Sequence, residues 1–108
     1  MEEISFNDFQ KMDLRVAEIK KAEDHPNADK LVVMTVDIGG EERTLVAGIK
    51  QHYKPKELVG KKIIVVANLK PTNLRGIESK GMLLAAVKGD NIVLVQPEKD
   101  IDVGAKVQ

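Results

Sequence analysis

From Asp13 onward the chain is a series of short β-branched runs, each stopped by a turn residue, and that texture limits its fold more than any other feature. The runs are Leu14 to Ala22, Lys30 to Ile38, Arg43 to Ala47, Lys62 to Asn68, Met82 to Val87 and Asn91 to Val95. Val and Ile fit a pleated strand and are stiff in a helix, so runs of this length between turn signals predict strands. Pro26, Pro55, Pro71 and Pro97 all fall between runs, where a missing N–H does no harm. Gly39-Gly40 separates two runs as a two-residue hairpin would. With one helical turn near Lys56 to Leu58, the pattern predicts an all-β fold, a small closed barrel such as a five-stranded OB-fold, with a C-terminal extension. Ahead of it, Ser5 and Asp8 have capping-box spacing, and Ile4 is placed to staple onto Phe9, which predicts a short helix over residues 6 to 11. No linker or repeat divides the 108 residues, so residues 1–108 are one domain.

Two runs are apolar on both faces, Ile63 to Ala67 and Met82 to Val87, whereas a barrel strand facing water alternates. Something must cover the outer face. Either a helix or loop of the same chain does so, or a second copy does, through Met82 to Val87, Ile92 to Val95 and Ile101 to Val107.

Composition excludes several functions. No Cys means no disulfide, thiol nucleophile or thiolate metal site, and two His are too few for most zinc sites. No apolar run reaches ten residues, against roughly 20 for a membrane helix. The acidic start Met1-Glu2-Glu3 is unlike a signal peptide, and a soluble cytoplasmic protein without cofactor is expected. Seventeen basic and seventeen acidic side chains cancel, but they are not evenly spread. Residues 43 to 80 hold nine basic and two acidic groups, between an acidic start and a nearly neutral end.

Enzymatic readings are thin. Ser79 beside Lys80 resembles a serine–lysine dyad, but adjacent residues on an extended chain point apart. Asp24-His25-Pro26-Asn27 contains half of a triad, yet it reads better as a turn whose side chains bond the backbone. No phosphate-binding glycine motif and no metal spacing is present. His52 reads as a loop residue.

The stretch Ala67 to Met82 carries the chemistry. It reads as a polar loop offering guanidinium, ammonium, amide and hydroxyl groups, with Gly76 and Gly81 permitting close backbone approach. Such groups suit phosphate and ribose. Base stacking is a poor match, because the aromatics are only Phe6, Phe9 and Tyr53, the first two expected in the staple and core. A charged patch without stacking platforms suits a folded RNA read through shape, phosphates and 2′-hydroxyls.

In these same residues the chain resembles the tRNA-binding domain family, known as a free-standing bacterial protein, as the C-terminal domain or β subunit of methionyl-tRNA synthetases, and within a multisynthetase-associated cytokine precursor. The matching blocks are Asp13-Leu14-Arg15-Val16-Ala17, His25-Pro26-Asn27-Ala28-Asp29-Lys30-Leu31, Val46-Ala47-Gly48-Ile49, and Ala67-Asn68-Leu69-Lys70-Pro71 onward through Leu74-Arg75-Gly76, Ser79 and Gly81-Met82 to Ala86. The resemblance implies an OB-fold homodimer that grips the outer corner of tRNA with little regard to tRNA identity. Carried over position by position, its site is Lys30, Asn68, Lys70, Arg75, Ser79, Lys80 and Met82. On that reading Lys30, Lys70, Arg75 and Lys80 meet phosphates, Asn68 and Ser79 bond ribose or backbone oxygens, and Met82 packs on a sugar or base. Leu74 stands where the family often has Met, and Thr72 and Asn73 where basic residues are common, which weakens the patch. Asp13 and Asp29 read as cap or turn residues.

A non-catalytic appendage of methionyl-tRNA synthetase is therefore expected, raising local tRNA concentration near an active site elsewhere and supporting dimerisation. The alternative is a protein-binding module of the secretion-chaperone type, a relative of the same family that differs from this chain at His25 to Asp29.

Overall fold

The computed structural model describes residues 1–108. In chain order the elements are α1 (Phe6–Gln10), β1 (Leu14–Asp24), β2 (Val32–Asp37), β3 (Glu42–Ala47), α2 (Pro55–Leu58), β4 (Lys62–Val66), β5 (Thr72–Leu74), β6 (Ile77–Ser79), β7 (Met82–Leu83), β8 (Ala85–Lys88), β9 (Asn91–Leu94) and β10 (Lys106–Val107). The fold is all-β and OB-like. β3, β2, β1, β4 and β7 lie side by side in that order, and β10 adds to β1. The sheet curls until its ends nearly meet: Lys80 N donates to Thr44 O at 2.8 Å, and Val46 N donates to the Ser79 hydroxyl at 3.0 Å.

One long strand makes the curl possible. β1 pairs with β2 along its second half and with β4 along its first, and its register shifts between Ile19 and Lys21. Such a bulge bends the strand and increases its twist, which turns one flat pairing toward the next. The hairpin at Gly39-Gly40 forms as expected, with both glycines at positive φ and Asp37 Oδ1 accepting from Gly39 N at 2.8 Å.

Alternation explains the core. Val32, Met34 and Val36 of β2 point inward between half-buried neighbours, and with Ile19, Leu45, Leu58, Ile63 and Val65 they fill the barrel. β4 is buried on both faces because the chain covers it. Its outward residues Ile64 and Val66 join Leu14 and Val16 in a second cluster, with Phe9, Leu84, Ala105 and Val107 packed on it. Burial of an aliphatic side chain is worth roughly 1.5–3 kcal/mol, reason enough for the first helix and the C-terminal segment to fold back there. Of the two covers expected for that face, the chain supplies its own.

Three expectations change. Ser5 Oγ accepts from Asp8 N at 3.0 Å, but Asp8 turns its carboxylate to Lys11, and Ile4 stays 71 % exposed, so neither the full capping box nor the staple closes. Phe6 is 69 % exposed against the Phe9 ring, and only Phe9 reaches the second cluster; α1 is too short to lay two rings on the barrel. The run at Met82 to Val87 is broken at Leu84, whose N–H donates to Ile64 O at 2.9 Å. β8 leaves the sheet there and pairs only with β9. No helix is long and apolar enough to cross a membrane.

Candidate nucleic-acid interface

Residues 67 to 82, read from sequence as a loop, contain a β-hairpin. Thr72 pairs with Ser79, Asn73 with Glu78 and Leu74 with Ile77. The connection is Arg75-Gly76, with φ of 56° and 98°. Two positive φ values match the right-handed twist of the strands they join. Glycine adopts them freely, whereas an L residue is disfavoured there by roughly 1–2 kcal/mol. Arg75 is the one non-glycine residue with positive φ, so its surroundings must hold it.

They do so through side chains. Asn73 Oδ1 accepts from Gly76 N at 2.9 Å, closing the turn from inside. From outside, Arg75 Nη2 donates to Asn27 O at 3.2 Å. His25, only 4 % exposed, spans the gap between the two segments: its Nδ1 accepts from Asn27 N at 2.9 Å and its Nε2 lies 2.9 Å from Leu74 O. The expected turn at Asp24 to Asn27 is present, with an imidazole bonding its backbone.

The result brings Lys30 and Arg75, distant in sequence, to one groove of about 350 Å³ with Ala28, Asp29 and Leu31. Lys70 and Lys80 flank the other end of the hairpin, one before β5 and one after β6. Lys30, Lys70 and Arg75 form no ion pair, while Lys80 lies 3.8 Å from the exposed Glu78 carboxylate. A cation without a carboxylate partner keeps its charge for a ligand.

The remaining expected site residues are engaged by the protein itself. Ser79 is 2 % exposed; its hydroxyl accepts from Val46 N and donates to Gly81 O at 2.9 Å, leaving it unable to reach a ligand. Asn68 is exposed, but Oδ1 accepts from Asp13 N at 2.8 Å and Nδ2 donates to Lys11 O at 2.6 Å. Both side chains satisfy backbone groups where strands diverge and no ladder partner exists. They brace the hairpin's root, a role the sequence did not suggest for them. Met82 is half-buried against the main core.

Sequence reasoning gave no role to Arg43 or to His25's long-range bond. Arg43 Nη1 donates to Ala67 O at 2.6 Å and its Nε to Glu41 at 2.9 Å, while Arg15 meets Asp13 through two bonds of 2.9 and 2.8 Å. The hydrogen bond from Arg15 holds the Asp13 carboxyl below the usual carboxylate range, and the Arg43 hydrogen bond does the same for Glu41. Asn73, three residues before Gly76, carried a readable turn signal.

A small OB-type barrel with an unpaired basic groove and a braced polar hairpin defines a binding domain for a polyanion. The chain belongs to the family described as "Putative tRNA binding domain", whose profile matches residues 14–106. It is 57 % identical over all 108 residues to part of the methionine–tRNA ligase of Pyrococcus horikoshii, of which it spans 15 %. Among solved structures it superposes on a MetRS-related protein from Pyrococcus horikoshii with TM-score 0.93, 42 % identity and full coverage of both chains. It also superposes on the chaperone CsaA from Bacillus anthracis with TM-score 0.91 and 28 % identity, covering 99 % of this chain and all of that one.

Proposed function

We propose that this domain binds folded tRNA at its outer corner, largely without regard to sequence, and serves as a non-catalytic tRNA-binding part of methionyl-tRNA synthetase in the cytoplasm. The observation that carries the reading is the groove where Lys30 and Arg75 meet beside Asp29 without either forming an ion pair, on a turn held in an uncommon conformation. Lys30, Lys70, Arg75 and Lys80 supply the phosphate contacts, and Met82 packs at the edge of the patch. No aromatic residue lies between 67 and 82, which favours recognition by charge and shape over base stacking. Linked to a catalytic body, such a domain raises the local concentration of tRNA without new contacts at the active site. A homodimer would use the exposed valines of the β8–β9 hairpin, doubling the patch.

Fluorescence anisotropy with folded tRNA, an unstructured RNA of equal length and duplex DNA, each at low and moderate salt, tests the reading. Folded tRNA binds tightest, and with four to six phosphates neutralised log affinity falls against log salt with a slope of roughly −3 to −5. Equal, weak binding of all three would defeat it. Peptide binding that persists at high salt, without RNA binding, would move the function to the chaperone type.

A further inference from the structure

We propose that His25 is the positioning residue of this interface: a neutral imidazole, protonated at Nε2, that ties the 25–31 turn to the tip of the β5–β6 hairpin and so holds Lys30 and Arg75 together at one groove. The inference rests on the tRNA-binding reading of the groove.

The backbone assigns the tautomer. Asn27 N–H can only donate, so Nδ1 must present its lone pair at 2.9 Å. The proton therefore sits on Nε2, facing the Leu74 carbonyl, which can only accept, at 2.9 Å. Both ring nitrogens are used and the ring is buried, so the link is a rigid bridge and not a mobile surface contact.

No backbone–backbone bond joins the two segments: β5 pairs only with β6, and the bonds of the 25–31 turn run to Leu31 O and from Lys50 N. Two side-chain links do the joining, His25 to Leu74 and Arg75 to Asn27. The second uses the guanidinium that binds the ligand. If Arg75 turns to a phosphate and gives up its 3.2 Å bond to Asn27, His25 alone joins the hairpin tip to the turn.

The residue thus acts through Arg75 and Lys30 without touching RNA. His25→Ala lowers tRNA affinity about tenfold if the ordered tip falls to about a tenth of the population. His25→Gln carries an N–H that reaches Leu74 O and recovers most of the affinity; His25→Asn restores only the acceptor for Asn27 and recovers little. In an Arg75→Ala background, His25→Ala adds a smaller further loss, because only Lys30 is left for it to position. A residue that merely supports the fold would give the same loss in both backgrounds and would not separate Gln from Asn. Either result overturns the proposal, as does wild-type affinity in His25→Ala. If His25→Ala fails to fold, the Gln and Asn variants decide.

Backbone ¹⁵N relaxation without RNA separates this idea from the function it rests on. Loss of order at Asn27 and Gly76 in the alanine or asparagine variant, with order kept in the glutamine variant, supports the bridge. Unchanged order defeats it. Failure of the wild-type protein to bind tRNA defeats the function and leaves the relaxation result to judge the bridge.

Discussion

The molecule carries two hairpins outside its main sheet, and they are opposites. β5–β6 is polar, with Arg75 at its tip and Lys70 and Lys80 at its root, and side-chain bonds from His25, Asn73 and Ser79 brace it. β8–β9 is apolar outside: Val93, cross-strand partner of Ala86, is 56 % exposed, and Val95 lies on the same face. Its root is joined by backbone bonds among Leu84, Ile64 and Val95 and by the Tyr53 hydroxyl, which accepts from Leu94 N at 3.1 Å. No ion pair involves residues 85 to 94. Similar backbone geometry thus presents two different surfaces. A charged ligand needs cations held in place but left unpaired, and the polar hairpin spends its uncharged side chains on bracing. In the proposed homodimer an apolar partner would supply order by burial, so that the valines would need no brace.

The largest break is at the root of the polar hairpin. Gly81 has φ +111°, and a Cβ there would lie 2.8 Å from Val66 O, a backbone atom. Gly81→Ala is expected to cost about 3 kcal/mol, from positive φ and overlap together. Denaturant unfolding checks this, and a loss under 1 kcal/mol would mean that β7 shifts freely. Next comes Lys70→Ala with Arg75→Ala. Removing two phosphate contacts is expected to weaken tRNA binding by about a hundredfold and flatten the salt slope by about two, with the unfolding midpoint barely moved. Anisotropy with an unchanged slope would remove these residues from the interface.

The opposite hairpin answers to a different test. Val93→Asp puts a charge on the apolar face and is expected to weaken self-association by roughly tenfold or more, leaving each protomer's tRNA affinity and salt slope as they were. Light scattering over a concentration series reads the first effect. A protein monomeric at all concentrations, or a variant with altered salt slope, would erase the division of labour between the hairpins.

That division was half legible in the sequence. Two-sided runs such as Ile63 to Ala67 announced the barrel because Val and Ile mark a buried strand whatever their partners. The polar hairpin was missed as structure. β5 and β6 have three residues each, with mixed polarity, and their turn places an arginine where glycine or asparagine is the usual signal. Polarity at Asn68 and Ser79 shows that hydrogen bonds are needed but not where the partners lie: Asp13 N is 55 positions from Asn68 and Val46 N is 33 from Ser79. His25 is the same case, readable as a turn residue, with its Leu74 partner 49 positions away. Lys70 and Arg75 were legible as unpaired cations, since their basic segment is short of acidic residues; Lys30, in the acidic start of the chain, was not.

Arg75→Gly separates two roles of one residue. Relief of the positive φ by roughly 1–2 kcal/mol is offset by about 0.5–1 kcal/mol of added chain entropy in the unfolded state. A net gain of about 0.5 kcal/mol in stability, with weaker tRNA binding, is expected from unfolding curves and anisotropy on the same sample. Loss of stability would show that the Arg75 to Asn27 bond outweighs the strain, so that the arginine itself holds the tip to the 25–31 turn and the case for bracing by His25 weakens.

The smallest effect distinguishes the hairpin roots by acid. Asp13, whose N–H is held by Asn68, and Glu41, whose partner Arg43 also holds Ala67 O, both lie at the root of the polar segment. Each carboxyl has a folded-state pKa below its ordinary value, through the hydrogen bond from its arginine. A depressed carboxyl contributes stability above the unfolded pKa, near 4, and loses that contribution as pH falls through its lower folded value. Arg15 stays protonated throughout, so the change belongs to the acid. These pairs are partly exposed, so salt screens them and the contribution is small. Asp13→Asn should therefore be less stable than wild type at pH 7 and equal to it in acid below the folded pKa. Amide exchange at Ala67 and Asn68 should quicken across that window while Val87 and Val93, with no ion pair to lose, keep their pH-corrected rates. Equal quickening at both hairpins would place acid sensitivity in the barrel as a whole and leave these two ion pairs no local role.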